Sequence, residues 1–116
     1  MEATAHARFQ RFGARKVAQV LDQVRGKSLQ NAQDILPIVP RAATTVVSKT
    51  IKSAAANLNV RAGRKLEPRE VFITQAWVGQ GPMGQFKRVL PAPMGRAMTF
   101  KRKVCHITVI VSDGRA

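Results

Sequence analysis

The chain has 116 residues, enough for one domain around one modest core. Twenty Lys plus Arg against six Asp plus Glu give a net charge of +14, which strains an isolated compact state and favours a polyanionic partner. Cys105 is the sole cysteine, so an internal disulfide is excluded, and no apolar run approaches the ~18 residues of a membrane span. Met1-Glu2-Ala3-Thr4-Ala5-His6 lacks the basic and apolar segments of a secretory signal, so no leader of that kind is expected; a transit peptide removed earlier stays compatible.

Glu2 to Arg11 alternates, with Ala3, Ala5, Ala7 and Phe9 on one side and Glu2, Thr4, His6, Arg8 and Gln10 on the other. That period predicts a short strand, broken at Phe12-Gly13. A helix is expected over Ala14 to Val24, where Val17, Val20, Leu21 and Val24 form a stripe at three- and four-residue spacing. Gly26 is its natural stop. Ser28 is placed to cap a second helix, Leu29 to Leu36, buried through Leu29, Ala32, Ile35 and Leu36.

Pro37 and Pro40 bracket a break. The third and longest helix is expected from Arg41 to Asn59, about 28 Å at 1.5 Å per residue. Ala43, Val46, Val47, Ile51, Ala54, Ala55 and Leu58 make its apolar side. Ser53-Ala54-Ala55-Ala56 thins its later half, which suits close packing on a sheet or the approach of an RNA backbone. Arg61 to Glu70, with Gly63 and Pro68, reads as a basic loop.

Val71 to Val78 predicts a strand with two possible inward sets, Val71/Ile73/Trp77 or Phe72/Ala76/Val78. Val104 to Ser112 alternates most clearly, with Cys105, Ile107, Val109 and Val111 inward. The two strands can pair antiparallel, leaving Gly79 to Lys103 as projecting arms. Arms of about 11 residues would reach roughly 35 Å. Such a ribbon is marginal alone in water, so the outer hairpin is expected to be mobile in the free protein and ordered by RNA.

From Val71 to Ser112 there is no acidic residue, yet Lys87, Arg88, Arg96, Lys101, Arg102 and Lys103 all fall there. Such a span needs a negative wall, and the cations elsewhere extend the same demand over the first 69 residues. Arg15-Lys16 opens the first helix, where its dipole disfavours cations unless a phosphate lies nearby. Lys49 and Lys52 lie on the polar side of the third helix, within reach of phosphate. Lys101-Arg102-Lys103 is a like-charge cluster whose natural counterpart is also phosphate. Met83, Phe86, Leu90 and Met94 suit packing between the arms, stacking on bases, or a surface touched by another macromolecule.

Catalysis finds no support. His6 and His106 have no carboxylate at a telling spacing, Cys105 reads as a small core residue, and the glycines lack the context of a phosphate loop. No enzyme activity, cofactor or metal is expected. With no recognition helix or aromatic platform evident, contacts should go mainly to phosphate, and RNA shape should set specificity.

Arg15-Lys16-Val17, Val24-Arg25-Gly26-Lys27-Ser28, Ser53-Ala54-Ala55-Ala56-Asn57, Gly81-Pro82, Lys87-Arg88-Val89-Leu90-Pro91, Gly95-Arg96-Ala97 and His106-Ile107-Thr108-Val109 occur in one order along nearly the whole chain. Read together they closely resemble the universal family of large-subunit ribosomal proteins that stands twenty-second in the bacterial series, uL22. Leu21-Asp22-Gln23-Val24-Arg25-Gly26 and Cys105-His106-Ile107-Thr108 are most similar to cyanobacterial or chloroplast members.

The resemblance implies an α/β (α+β) fold: three helices packed on a three-stranded antiparallel sheet, with a long protruding β-hairpin at about 79–103 of a single domain, 1–116. It implies binding to 23S-type rRNA, support of subunit assembly, and a hairpin that forms part of the nascent-peptide tunnel wall. Neighbouring large-subunit proteins and the nascent polypeptide would be further partners. The place would be the large ribosomal subunit, in bacterial cytoplasm or chloroplast stroma, with no membrane insertion and no homo-oligomer.

By position, Lys87, Arg88 and Arg96 would hold the hairpin on rRNA, and the charge cluster Lys101, Arg102 and Lys103 is expected to add phosphate contacts at its inner arm. Arg8, Arg11, Arg15, Lys16, Arg25, Lys27, Lys49, Lys52, Arg61, Arg64 and Lys65 are the contact candidates of the body. Leu90, Pro91, Ala92, Pro93 and Met94 would approach the tunnel. The chain departs from the family pattern in three places. Gly13-Ala14 replaces the usual Ser-Pro before Arg15-Lys16, Pro91-Ala92-Pro93-Met94-Gly95 has lost two tip cations, and Met83-Gly84-Gln85-Phe86 is about two residues longer. The rival reading is a free-standing basic RNA- or DNA-binding regulator, which would keep high affinity for a short duplex.

Overall fold

The computed structural model describes residues 1–82, 87–101 and 103–113. In chain order it contains β1 (Glu2–Gln10), α1 (Ala14–Val24), α2 (Leu29–Ile35), α3 (Thr44–Ala62), β2 (Phe72–Gln80), β3 (Lys87–Ala92), β4 (Arg96–Lys101) and β5 (Cys105–Ser112). β5 lies between β1 and β2 and runs antiparallel to both, while β3 and β4 form a separate antiparallel hairpin. The α+β architecture expected from the resemblance is therefore the one adopted.

The helices follow the apolar pattern closely. Val17, Val20, Leu21 and Val24 of α1 are fully buried. The Ser28 side chain accepts the Asn31 amide at 3.3 Å and caps α2, which stops at Ile35; Leu36 just beyond it is still buried. α3 runs three residues later than its apolar side suggests. Its N-cap, Ala43, offers no side chain to mark the start, and the helix continues through Arg61 and Ala62 until Gly63 turns left-handed at φ 73°. Arg61 is thus helical, not part of the loop. Ala54 and Ala55 are buried, and α3 packs on β1 and β5, where Ala3 and Ala5 are equally small. Close helix–sheet packing accounts for Ala54 and Ala55, while Ala56 is exposed.

Both outer strands depart from simple alternation. In β1 the register passes from Ala7↔Ile107 to Gln10↔Cys105, so Arg8 and Phe9 together oppose His106. This bulge turns Phe9 out of the core, 61% exposed with φ 57°, against the inward placement expected from the period. In β2 the register passes from Ile73↔Val111 to Gln75↔Ile110, an irregularity at Thr74. Val71, Ile73 and Ala76 are buried and Val78 is half-buried, so neither predicted inward set holds whole, and Trp77 faces outward at 46% exposure. Cys105, Ile107, Val109 and Val111 of the central strand are all fully buried, as the alternation requires.

Part of each sheet edge is occupied from within the chain. Arg61 donates to the Glu2 carbonyl and Asn57 to the Thr4 carbonyl along β1. Beside β2, Gly26 donates to Ile73 O, Ile73 N donates to Lys27 O, and Arg25 donates twice to Ala76 O. Unpaired strand edges template association, and these contacts blunt both.

The β3–β4 hairpin leaves the sheet beyond Gln80↔Cys105. None of its described residues is buried. At its root Gly81 donates to Val104 O at 2.7 Å, and a β-carbon on Gly81 would lie only 3.0–3.1 Å from Val104 atoms, so glycine is what fits. The hairpin stretches the long axis to 64 Å and the radius of gyration to 17.4 Å, against about 13–14 Å for a compact chain of this length.

Candidate nucleic-acid interface

The hairpin root gathers cations from three elements. Gln10 of β1 and Gln80 of β2 both pair with Cys105, so the ends of both strands and the start of α1 converge there. The Lys103 stem runs beside Gly13, 3.6 Å from where a β-carbon would sit. Arg8, Arg11, Arg15, Lys16 and Lys103 are all exposed at this end. α1 begins with no side-chain cap and no acidic residue in its first turn. Two cations at a positive helix end repel it; an anion there would be held by the free amides as well as by the side chains.

The remaining body cations divide by what they touch. Lys27, Lys49, Lys52 and Lys65 are exposed, and Lys49 and Lys52 line one depression between α2 and α3 with Gln33, Thr45 and Ser48. Arg64 sits 3.8 Å from Glu70, an exposed pair worth little. Arg25 and Arg61 differ, because each bonds a strand carbonyl, and Arg25 also holds Asp22 at 2.6 Å. On the hairpin Arg88 and Arg96 are exposed. Arg102, the segment 83–86, and the side chains of Lys87 and Lys101 lie outside the described residues.

At the tip, Leu90, Pro91 and Ala92 end β3, and Pro93, Met94 and Gly95 make the turn. Met94 is 93% exposed and holds φ 60°, a conformation that costs a non-glycine residue about 1–3 kcal/mol.

The acidic residues gather away from this. Glu2 opposes Ser112 at the far end of the sheet, Asp113 lies 3.5 Å from the terminal amine, and Glu67 and Glu70 share the turn before β2. The molecule is consequently polarised, with the hairpin and its root positive and the far end carrying most of the acids.

The histidines serve the sheet. His6 Nδ1 lies 3.1 Å from Thr108 Oγ1, and His106 Nδ1 accepts the Phe9 amide at 3.0 Å. Among the described residues no cluster of three or more His, Cys, Asp or Glu stands ready for a metal. Burial pushes the Cys105 thiol up, and a backbone hydrogen bond at Phe12 partly opposes the rise. Sequence reasoning missed the exposed ring of Phe9 and left that of Trp77 open between its two inward sets. Only the two bulges turn them outward, and no residue type marks either bulge in advance.

A family model described as Ribosomal protein L22p/L17e matches residues 5–112. The large ribosomal subunit protein uL22 of Pelotomaculum thermopropionicum is 44% identical over 113 residues, spanning 97% of this chain and 96% of its own length. The protein of that name from Nostoc punctiforme is 46% identical over 110 residues, 95% of this chain and 90% of its own. Matches of this extent, on a fold of this kind, show that the chain belongs to the ribosomal protein L22p/L17e family.

Proposed function

We propose that the chain is a structural constituent of the large ribosomal subunit that binds 23S-type rRNA, supports subunit assembly, and lends its hairpin to the wall of the nascent-peptide tunnel. Membership in a family of ribosomal proteins makes the role structural, not enzymatic. One observation carries the rRNA reading: the hairpin has no acid and no buried described residue, while exposed cations surround its root. A ribbon of that kind has too little internal cohesion to hold its shape in water. A phosphate lining would supply both the missing wall and the missing counter-charge.

In this reading the whole chain acts as one domain, with about 79–103 as its extension. Arg8, Arg15, Lys16, Lys49, Lys52 and Lys65 anchor the body on phosphate, and Arg88 and Arg96 anchor the hairpin. Leu90 to Met94 face the passing peptide, and neighbouring ribosomal proteins share the remaining surface. Neutralising Lys101, Arg102 and Lys103 together should lower affinity for folded rRNA far more than it lowers the melting temperature, because like charges repel in the free chain. Filter binding beside thermal melts decides this, and an equal loss in both would overturn the reading.

A further inference from the structure

We infer that the open face of the sheet at the hairpin root takes unpaired RNA bases by stacking, with Trp77 and Phe9 as its two platforms. The inference rests on the rRNA-binding reading and adds how the bases, not only the phosphates, are held.

Two independent bulges place these rings. The irregularity at Thr74 brings Trp77 outward, in register with Thr108 and through it with His6. The bulge at Arg8-Phe9 sets Phe9 edge-on to His106, with ring centres 4.8 Å apart and planes at 86°. On the central strand His106 and Thr108 are two residues apart, so the two rows are neighbours on one face. Gly79 ends the His106 row on the β2 side, two residues from Trp77, and a β-carbon there would meet nothing within 4 Å. The surface beside Trp77 and His106 is thus open at that position.

Phe9 adds a second kind of observation. Its φ of 57° is strained for an aromatic residue, and the His106 hydrogen bond holds it there while the ring remains mostly in solvent. Strain kept without gain in burial marks a placement that serves contact with something else.

The chemistry of the face selects the occupant. Exposed His6 and Arg8 stand in the same two rows as the rings, so the described residues of these rows offer no continuous apolar patch to a protein neighbour. No acidic residue lies in these two rows, and the chain carries +14 overall. Aromatic rings interleaved with cations on a sheet suit splayed single-stranded bases, whose flat faces stack while adjacent phosphates find Arg8.

Trp77 is the single tryptophan, so its emission reports on this face alone. The test uses the full chain with three probes at equal salt: folded large-subunit rRNA, a short unpaired adenosine strand, and a strand of equal phosphate count without bases. The adenosine strand should quench Trp77 and bind roughly tenfold more tightly than the abasic strand. Trp77→Ala should abolish that preference and leave abasic affinity unchanged; Trp77→Phe should retain most of it. Phe9→Gly, which relieves the strained backbone, should reduce the preference without loss of fold. Unquenched emission, or a base preference unchanged in Trp77→Ala, would overturn the inference and leave the face to a protein neighbour. Failure of the native chain to bind rRNA at all would instead overturn the ribosomal reading beneath it.

Discussion

Arg25 and Lys16 illustrate how two cations that look alike in sequence part company in the fold. The Arg25 guanidinium donates to Ala76 O at 3.0 and 2.7 Å and to Asp22 at 2.6 Å, whereas Lys16 is exposed in the first turn of α1. Arg25→Ala should therefore destabilise the fold by about 1 kcal/mol, because a strand carbonyl loses its donor. Lys16→Ala should leave stability unchanged or slightly higher and weaken rRNA binding. Urea unfolding beside filter binding would show the opposite pattern if Arg25 were the RNA contact. The cations were legible because charge is written in residue type; which of them serve their own fold was not, since that depends on carbonyls fifty residues away.

Cys105 makes a second residue-scale prediction. Burial places its native pKa above the unfolded value. The native state then binds the proton more tightly, so this contribution is complete below the unfolded pKa and is lost as pH rises through the native one. Stability should decline in alkaline solution, and Cys105→Ala should remove that part of the decline in pH-dependent urea melts.

At the scale of elements, the helices were nearly all legible. An amphipathic stripe ending at Gly26 defined α1, and Ser28 defined the start of α2; α3 slipped by three residues because Ala43 carries no capping group. β5 was legible in place and in phase, whereas β1 and β2 kept their phase only as far as their bulges, since a single extra residue reverses every side chain beyond it. Phe9 is the residue that this reversed, while Trp77 follows the one of its two open phases that faces outward. The hairpin stands apart again. Its register puts Lys87 opposite Lys101, and Val89, Leu90 and Met98 remain at least half exposed. Amides of β3 and β4 should exchange with deuterium far faster than those of β5 in the free protein, and slow markedly once rRNA is bound. Equal protection of β4 and β5 in the free chain would refute this.

For the whole molecule the governing quantity is charge laid along a 64 Å axis. Six or more phosphate contacts from exposed lysines and arginines would cost about a thousandfold in rRNA affinity between about 50 and 200 mM salt. Titrations across that range check the number of contacts directly. The partly covered strand edges have a bearing at this scale too. The strand carbonyls taken by Arg25, Asn57 and Arg61 are closed to pairing with a second copy, and a net charge of +14 opposes the approach of any two copies. The same side chains that finish the sheet thus also work against its extension from one molecule into the next.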